Sequence, residues 1–500
     1  MIDIFNHLIL GIGVAVTPIN LLYCLLGCTL GTLIGVLPGI GPMATIAMLL
    51  PITFKLPAVA SLIMLAGIYY GAQYGGSTTS ILLKLPGEPS SIVTCLDGYQ
   101  MARQGRAGPA LAIAALASFF AGCVVTLIIA LFAPPLAEVA LEFGPTEYFS
   151  LMVFGLVSAV VLAHGSILKA IGMIFLGLLI GLVGIDVTSG VTRLTLGIFE
   201  LSDGIGVTVL AVGLFAIGEI ISTLEQREGR SGATSVAGGL MPTRADIKNS
   251  WKPVLRGTGL GAFLGILPGG TALLAAFASY TLEKKIAVDS SRFGNGAIEG
   301  VAGPESANNA AAQTSFIPML TLGLPSNGVM ALMLGAMTIQ GITPGPMVMT
   351  VRPELFWGMI ASMWLGNLML VLLNLPLIGV WVTLLKVPYR FLYSAILLFC
   401  CIGIYSMNNS PFEVALVAAF GLLGYIFIKL NCEPAPLILG FILGPLMEEY
   451  LRRAMLLSRG DPSVFFRSPI SLALLLGAVC LLFLVVVPSI RGKREEVFSE

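Results

Sequence analysis

Two polar runs interrupt otherwise apolar sequence and carry side chains suited to binding a small charged molecule. Residues 75–80 lead to Leu85-Pro86-Gly87, and residues 303–309 lead to Leu324-Pro325. Proline and glycine end helices, so each run should adjoin a helix break, predicted at Pro86 and Gly87 and at Pro325. Interhelical hydrogen bonding is the simpler use of such groups. The predicted ligand-binding residues are Ser77, Thr78, Thr79, Ser80, Lys84, Asn308, Asn309, Ser326 and Asn327.

Glycines at intervals of four residues form a stripe on each of two predicted helices. The stripes are Gly27, Gly31, Gly35 and Gly39, and Gly257, Gly261, Gly265 and Gly269. Such stripes let two helix backbones pack closely, and packing alone would explain them. Each stripe ends in Leu-Pro-Gly, which predicts helix breaks at Pro38 and Pro268, where freed carbonyl groups could hold a cation. The predicted cation-binding residues are Gly39, Gly41, Gly269, Gly270, Thr271 and Glu305.

Three ionisable residues, Lys84, Glu88 and Glu305, lie near these breaks. Ionisable side chains within membrane segments are functional candidates by default. Lys84 and Glu88 are four residues apart and could pair with each other, and Lys84 could instead reach the membrane interface.

The composition predicts an all-α polytopic membrane protein. Of the 500 residues, 57% are hydrophobic and 10% are charged, with a net charge of zero. Soluble domains carry roughly 25% charged residues, and a nucleic-acid-binding chain would be more basic. No phosphate-binding P-loop and no hydrolase or metalloprotease motif occurs, so we expect no enzyme and no cofactor.

Apolar stretches predict roughly ten to thirteen membrane segments, including half-helices that do not cross. The expected organisation is a first transmembrane repeat (1–224), a hydrophilic loop (225–253), a second repeat (254–490) and a polar tail (491–500). The loop and the tail are basic, which places both in the cytoplasm. A helix over 89–106, with Ile92 and Leu96 on its apolar side and Asp97 on its polar side, is either an interfacial arm or a plain connector.

The two halves repeat each other. Residues 27–39 match residues 257–269 at an offset of 230, and Leu85-Pro86 matches Leu324-Pro325 at an offset of 239. Slowly drifting offsets in matching order indicate duplication.

The chain resembles the large membrane subunit of the tripartite tricarboxylate transporters, the TctA family. The resemblance is carried by GVLPGIGP (35–42), YYGAQYGGSTTSILLKLPGE (69–88) and GVAGPESANNAAAQTSFIPMLTLGLP (300–325). It implies inverted repeats, an elevator-like motion and secondary transport of citrate-like carboxylates driven by a cation gradient. It also implies a small membrane subunit, a periplasmic solute-binding protein and a place in the bacterial inner membrane.

Two positions depart from the family pattern. Lys84 stands where the family usually has Asn, and Pro325-Ser326-Asn327 replaces the usual Pro-Gly-Ser. Lys84 could strengthen anion binding, or its ammonium could replace a sodium ion. From these features we predict a Na⁺ or H⁺ symporter subunit, with a stand-alone anion carrier or channel as the alternative.

Overall fold

The computed structural model describes residues 2–37, 41–162, 166–186, 189–225, 239–267, 271–384 and 389–486. It is 81% helical. In chain order the first helices are α1 (Ile2–Ala15), α2 (Pro18–Val36), α3 (Pro42–Thr53), α4 (Ala58–Leu83), α5 (Ile92–Met101), α6 (Ala107–Leu141), α7 (Pro145–Leu162), α8 (Ile167–Gly181), α9 (Val207–Ala211) and α10 (Gly218–Glu225).

The later helices are α11 (Arg244–Ile266), α12 (Ala272–Ile286), α13 (Glu299–Thr314), α14 (Phe316–Leu322), α15 (Gly328–Ile339), α16 (Met347–Val351), α17 (Pro353–Asn374), α18 (Ile378–Leu384), α19 (Tyr389–Asn408), α20 (Pro411–Lys429), α21 (Ala435–Leu457), α22 (Val464–Arg467) and α23 (Pro469–Val486). A short antiparallel hairpin pairs β1 (Gly184–Ile185) with β2 (Thr192–Arg193). A 3₁₀ turn (Pro89–Ser91) precedes α5, and π segments (Ala102–Arg106 and Val212–Ile217) join α5 to α6 and α9 to α10.

Within the described ranges, five helical stretches are long and apolar enough to cross a membrane. They are Pro18–Val36, Pro89–Leu141, Val207–Glu225, Pro353–Asn374 and Pro411–Lys429, and seven shorter apolar helices accompany them. Phe132, Phe175 and Phe483 are each more than half exposed, as expected for side chains that face lipid. The predicted all-α membrane class is confirmed, while the duplication and its inversion stay predictions.

The two glycine stripes pack against helix backbones. A Cβ atom on Gly31 of α2 would overlap the carbonyl oxygen of Ile68 in α4, and one on Gly261 of α11 would overlap that of Ala307 in α13. A Cβ atom would also overlap a facing carbonyl oxygen one turn earlier or later, at Gly27 and Gly35 of α2 and at Gly257 and Gly265 of α11. The close approach of the helix backbones in both pairs therefore requires glycine at these positions.

The Pro-Gly parts of the two Leu-Pro-Gly segments lie outside the described residues, namely Pro38, Gly39, Pro268 and Gly269, and so does Gly270. On either side of them, α2 ends at Val36 and α3 begins at Pro42, while α11 ends at Ile266 and α12 begins at Ala272.

The region expected to be the inter-repeat loop is partly helical. Its residues 244–253 form the first turns of α11, capped by Thr243, whose hydroxyl accepts the N–H of Asp246. Arg106, at the start of α6, forms an ion pair with Asp246. Residues 226–238 lie outside the described ranges, as does the expected polar tail.

The arm predicted over 89–106 differs from expectation at one polar position. Asp97 is completely buried, whereas Arg103 is exposed, as are Ile92 and Leu96 at 39% and 41%. The prediction that Asp97 lies on an outward polar side is therefore wrong, because Asp97 faces hydrogen-bond donors from the second half of the chain.

Candidate functional site

The first helix break separates α4 from α5. Lys84 closes α4 in the left-handed conformation, with φ 59°. Pro86 and Gly87 follow outside any helix. Glu88 then caps the 3₁₀ turn with extended backbone, φ −146° and ψ 162°, and its side chain forms a reciprocal capping box with Ser91.

The second helix break separates α14 from α15. Gly323 closes α14 in the left-handed conformation, with φ 67°. Pro325 follows outside any helix. Asn327 caps α15 with extended backbone, φ −154° and ψ 175°, and its Oδ1 accepts the N–H of Met330 at 3.0 Å.

The two breaks share one backbone design. The left-handed residues Lys84 and Gly323 stand 239 positions apart, and so do the capping residues Glu88 and Asn327. Each break therefore presents the N-terminus of a helix beside the C-terminus of another. Such N-termini carry unpaired N–H groups that attract anions.

The first break packs tightly against α2 and α4. A Cβ atom on Gly87 would overlap the carbonyl oxygen of Gly35 and lie 2.6 Å from the Cα of Gly76. No other residue fits at Gly87 without displacing α2 or α4.

The four predicted hydroxyl ligands at the end of α4 already donate their protons within the protein. The acceptors for Ser77, Thr78, Thr79 and Ser80 are, in order, Glu305 Oε2 (2.7 Å), the carbonyl of Tyr74 (3.2 Å), the carbonyl of Gly76 (2.9 Å) and Ser91 Oγ (2.9 Å). As arranged, these oxygens can accept but not donate, which suits a cation or an N–H donor better than a carboxylate.

Two of the predicted amide ligands are also engaged. Asn309 Nδ2 donates to Ser118 Oγ at 2.7 Å, and Asn327 Nδ2 donates to Ser315 Oγ at 3.4 Å. These bonds fit the simpler role of joining helices.

Asn308 and Ser326 differ from the other predicted ligands. Each is 1% exposed, and neither the Asn308 amide nor the Ser326 hydroxyl has a hydrogen-bond partner in the described part of the chain. Gln73 on α4, which sequence reasoning missed, is equally buried, and both its amide atoms lack partners among the described residues. A buried amide without partners is unfavourable by roughly 1–3 kcal/mol.

The unpaired amides lie near the two breaks. Asn308 approaches the Glu88 carboxylate of the first break. Tyr69, one turn before Gln73 on α4, approaches both Gln73 and Asn327 of the second break. The breaks, α4 and α13 therefore enclose a set of buried polar groups.

Glu305 lies in a neighbouring network made only of hydroxyl groups. Its carboxylate, 1% exposed, accepts from Ser77 at 2.7 Å, from Thr94 of α5, and more weakly from Ser118 of α6 at 3.4 Å. No cationic side chain among the described residues forms an ion pair with it. A narrow cleft, lined in part by Tyr74, reaches this carboxylate.

Gly41 and Thr271, the other predicted cation-binding residues within the described ranges, lie at the starts of helices. The Thr271 hydroxyl caps α12 by accepting the N–H of Leu274 at 3.2 Å. The N–H of Gly41, before α3, donates to Glu219 of α10 at 3.2 Å. The hydrogen bonds of Glu305 lead to α4, α5 and α6 rather than to either of these residues.

Lys84 is exposed, whereas the unpaired amides are buried. Sequence reasoning also missed Gln73 and Glu219. Both stand inside apolar stretches, and a lone polar or acidic residue in a membrane segment is the signal that would have found them.

A helical membrane protein with paired breaks and buried, unpaired polar groups belongs to the class of polytopic transport proteins. The family model for the tripartite tricarboxylate transporter TctA family matches residues 21–439, so the chain belongs to that family.

Two curated proteins of Agrobacterium vitis are similar to this chain. One, an uncharacterized 52.8 kDa protein in the TAR-I ttuC' 3' region, is 58% identical over 500 residues, which is all of both chains. The other, an uncharacterized protein in the TAR-II ttuC' 3' region, is 62% identical over 241 residues, 48% of this chain and 99% of that one. No solved structure matches the chain.

Proposed function

We propose that this chain is the large membrane subunit of a binding-protein-dependent secondary transporter that imports small di- or tricarboxylates with Na⁺ or H⁺. Family membership supports the transporter class, the carboxylate substrate, and the two partners, a small membrane subunit and a periplasmic solute-binding protein. The bacterial inner membrane is the corresponding location.

The observation that carries the substrate site is the set of buried amides without partners. Gln73 on α4 and Asn308 on α13 offer two N–H₂ groups at the breaks, and Ser326 offers a hydroxyl. A carboxylate accepts hydrogen bonds only, so it complements these donors. A multiply charged organic anion bound across α4 and α13 would satisfy these donor groups, which are otherwise unfavourably buried.

Glu305 is the proposed coupling group. Burial disfavours the charged form of a carboxylate, and Glu305 has only hydroxyl donors to offset this, so protonation or a bound cation would stabilise it. The oxygens of Ser77, Thr94 and Ser118 complete an oxygen-only environment, which suits a hard cation such as Na⁺. We propose that carbonyl groups near Gly41 and Thr271 provide the additional cation sites expected from the sequence.

Uptake into proteoliposomes containing all three subunits tests the proposed transport. We expect carboxylate accumulation that requires an imposed Na⁺ or pH gradient and the solute-binding protein. Accumulation that persists after both gradients collapse would exclude symport. Undiminished uptake without the binding protein would instead favour a stand-alone carrier.

Two amide substitutions test the substrate site. Gln73→Leu and Asn308→Leu each remove a hydrogen bond to a charged group, roughly 1.5–3 kcal/mol, so we expect KM to rise about 10- to 100-fold. Ser61→Ala is the matched control, because Ser61 is another buried α4 hydroxyl without a partner among the described residues. Equal KM values for Gln73→Leu, Asn308→Leu and Ser61→Ala would contradict the assignment.

A further inference from the structure

Asp97 of α5 holds a loop that connects α12 to α13. Its Oδ1 accepts three backbone N–H groups, from Gly294 at 2.9 Å and from Gly296 and Ala297 at 2.8 Å. Its Oδ2 accepts the hydroxyl of Tyr280 at 3.0 Å. Four hydrogen bonds therefore tie one helix of the first half to the second half.

The loop is shaped to receive a carboxylate. Gly294 and Gly296 have positive φ values of 84° and 99°, which turn successive N–H groups towards one point. Backbone concavities of this kind bind anions. Here the anion is a side chain of the same protein, and it is completely buried.

The same helix supplies a hydrogen bond to Glu305. Thr94 precedes Asp97 by three residues, so both side chains lie on one side of α5. Thr94 donates to Glu305 Oε1. Asp97 accepts hydrogen bonds from the loop that leads into α13, which is the helix that contains Glu305. Gly98 lets α5 pack closely, because a Cβ atom there would lie 2.8 Å from Ile81 of α4.

We propose that Asp97 is a positioning residue for ion coupling: by fixing α5 against the 294–297 loop, it holds Thr94 in hydrogen-bond contact with Glu305. This inference rests on the proposed role of Glu305. Asp97 lies beyond the coupling site and acts through Thr94.

Transport kinetics test this role through the cation rather than the substrate. We expect Asp97→Asn to raise the cation concentration for half-maximal uptake, or to shift the pH midpoint, at least about threefold, which is roughly 0.7 kcal/mol. Thr94→Val should do the same, and Thr94→Ser, which keeps the hydroxyl, should not. The double variant Asp97→Asn/Thr94→Val should be no worse than Thr94→Val alone, because the two residues act in series.

Asp289→Asn is the matched control for the loop. Asp289 accepts hydrogen bonds from Ser291, which hold the pKa of Asp289 below its usual range, and these bonds stay within its own loop. We expect its variant to leave the cation dependence unchanged.

Hydrogen exchange separates failure of this inference from failure of the coupling proposal. The amides of residues 294–297 should exchange faster in Asp97→Asn than in the parent protein. Unchanged exchange overturns the inference whatever Glu305 does. Faster exchange with an unchanged cation dependence also overturns it, provided that Glu305→Gln does alter that dependence. If Glu305→Gln leaves the cation dependence intact, the coupling role of Glu305 fails, and the positioning role falls with it.

Discussion

Among single residues, Lys84 combines an unfavourable backbone shape with an exposed charge. Its φ of 59° lies in the left-handed region, which costs an ordinary L-residue about 1–2 kcal/mol. Glycine and asparagine adopt this conformation more easily, and Gly323 does so at the matching position of the second break. An asparagine at this position, as the resemblance to the TctA family implies, would suit this backbone shape.

Substitutions of Lys84 distinguish the effect of its backbone conformation on stability from the effect of its charge. We expect Lys84→Asn to stabilise the protein by about 1 kcal/mol, seen as a higher Tm in detergent. Lys84→Ala loses the same charge but lacks the short polar side chain whose local hydrogen bonds favour the left-handed conformation, so its Tm should not rise. Equal gains in both variants would point to charge, and a KM increase shared by both would assign the ammonium to substrate binding.

At the scale of elements, the glycine stripes set the distance between helices. Gly261 of α11 faces the backbone of Ala307, whereas a Cβ atom on Gly259 would meet no atom of the described residues within 4 Å. The two positions are two residues apart on one helix and therefore point in different directions.

This contrast provides a matched pair of substitutions. We expect Gly261→Ala to destabilise the protein by about 1–3 kcal/mol, because α11 and α13 must move apart. Gly259→Ala should be neutral or stabilising by up to about 1 kcal/mol, since alanine favours helix. Denaturant unfolding measures both, and a similar loss in the two variants would show that the stripe does not set the packing.

Local patterns in the sequence were enough to predict the stripes and the positions of Pro86, Gly87 and Pro325 outside helices. The partners of polar side chains were not predictable in the same way. Asp97 binds a loop about 200 residues later in the chain, which no local pattern encodes. The hydroxyls of Thr78 and Thr79 turn back to their own helix, a choice made by side-chain rotamers.

Considering the whole molecule, one membrane-spanning stretch separates two surface regions. Val207–Glu225 is long and apolar enough to cross. The segment before it contains the β-hairpin, where Arg193 pairs with Asp186 at 2.5 Å and with Glu448 at 3.0 Å. The segment after it leads to the basic stretch that the positive-inside rule places in the cytoplasm. We therefore expect the hairpin on the opposite side of the membrane from this basic stretch.

Cysteine labelling in intact cells checks this topology. In a background without native cysteines, Phe199→Cys should react with an impermeant maleimide from outside, and Met241→Cys only after the cells are opened. Both parent side chains are more than 80% exposed, so access is not limited by burial. Labelling of both positions from the same side would contradict a single crossing between them.

The contact of Gly35, Gly76 and Gly87 has a mechanical consequence. Gly87 meets the backbones of Gly35 and Gly76 directly, and the Thr79 hydroxyl beside this contact donates to the Gly76 carbonyl at 2.9 Å. The first break and the adjoining ends of α2 and α4 must therefore travel as one rigid block. The joint between α5 and α6 differs, because Gly105 has a φ of 78° and a Cβ atom there would touch no described atom within 4 Å.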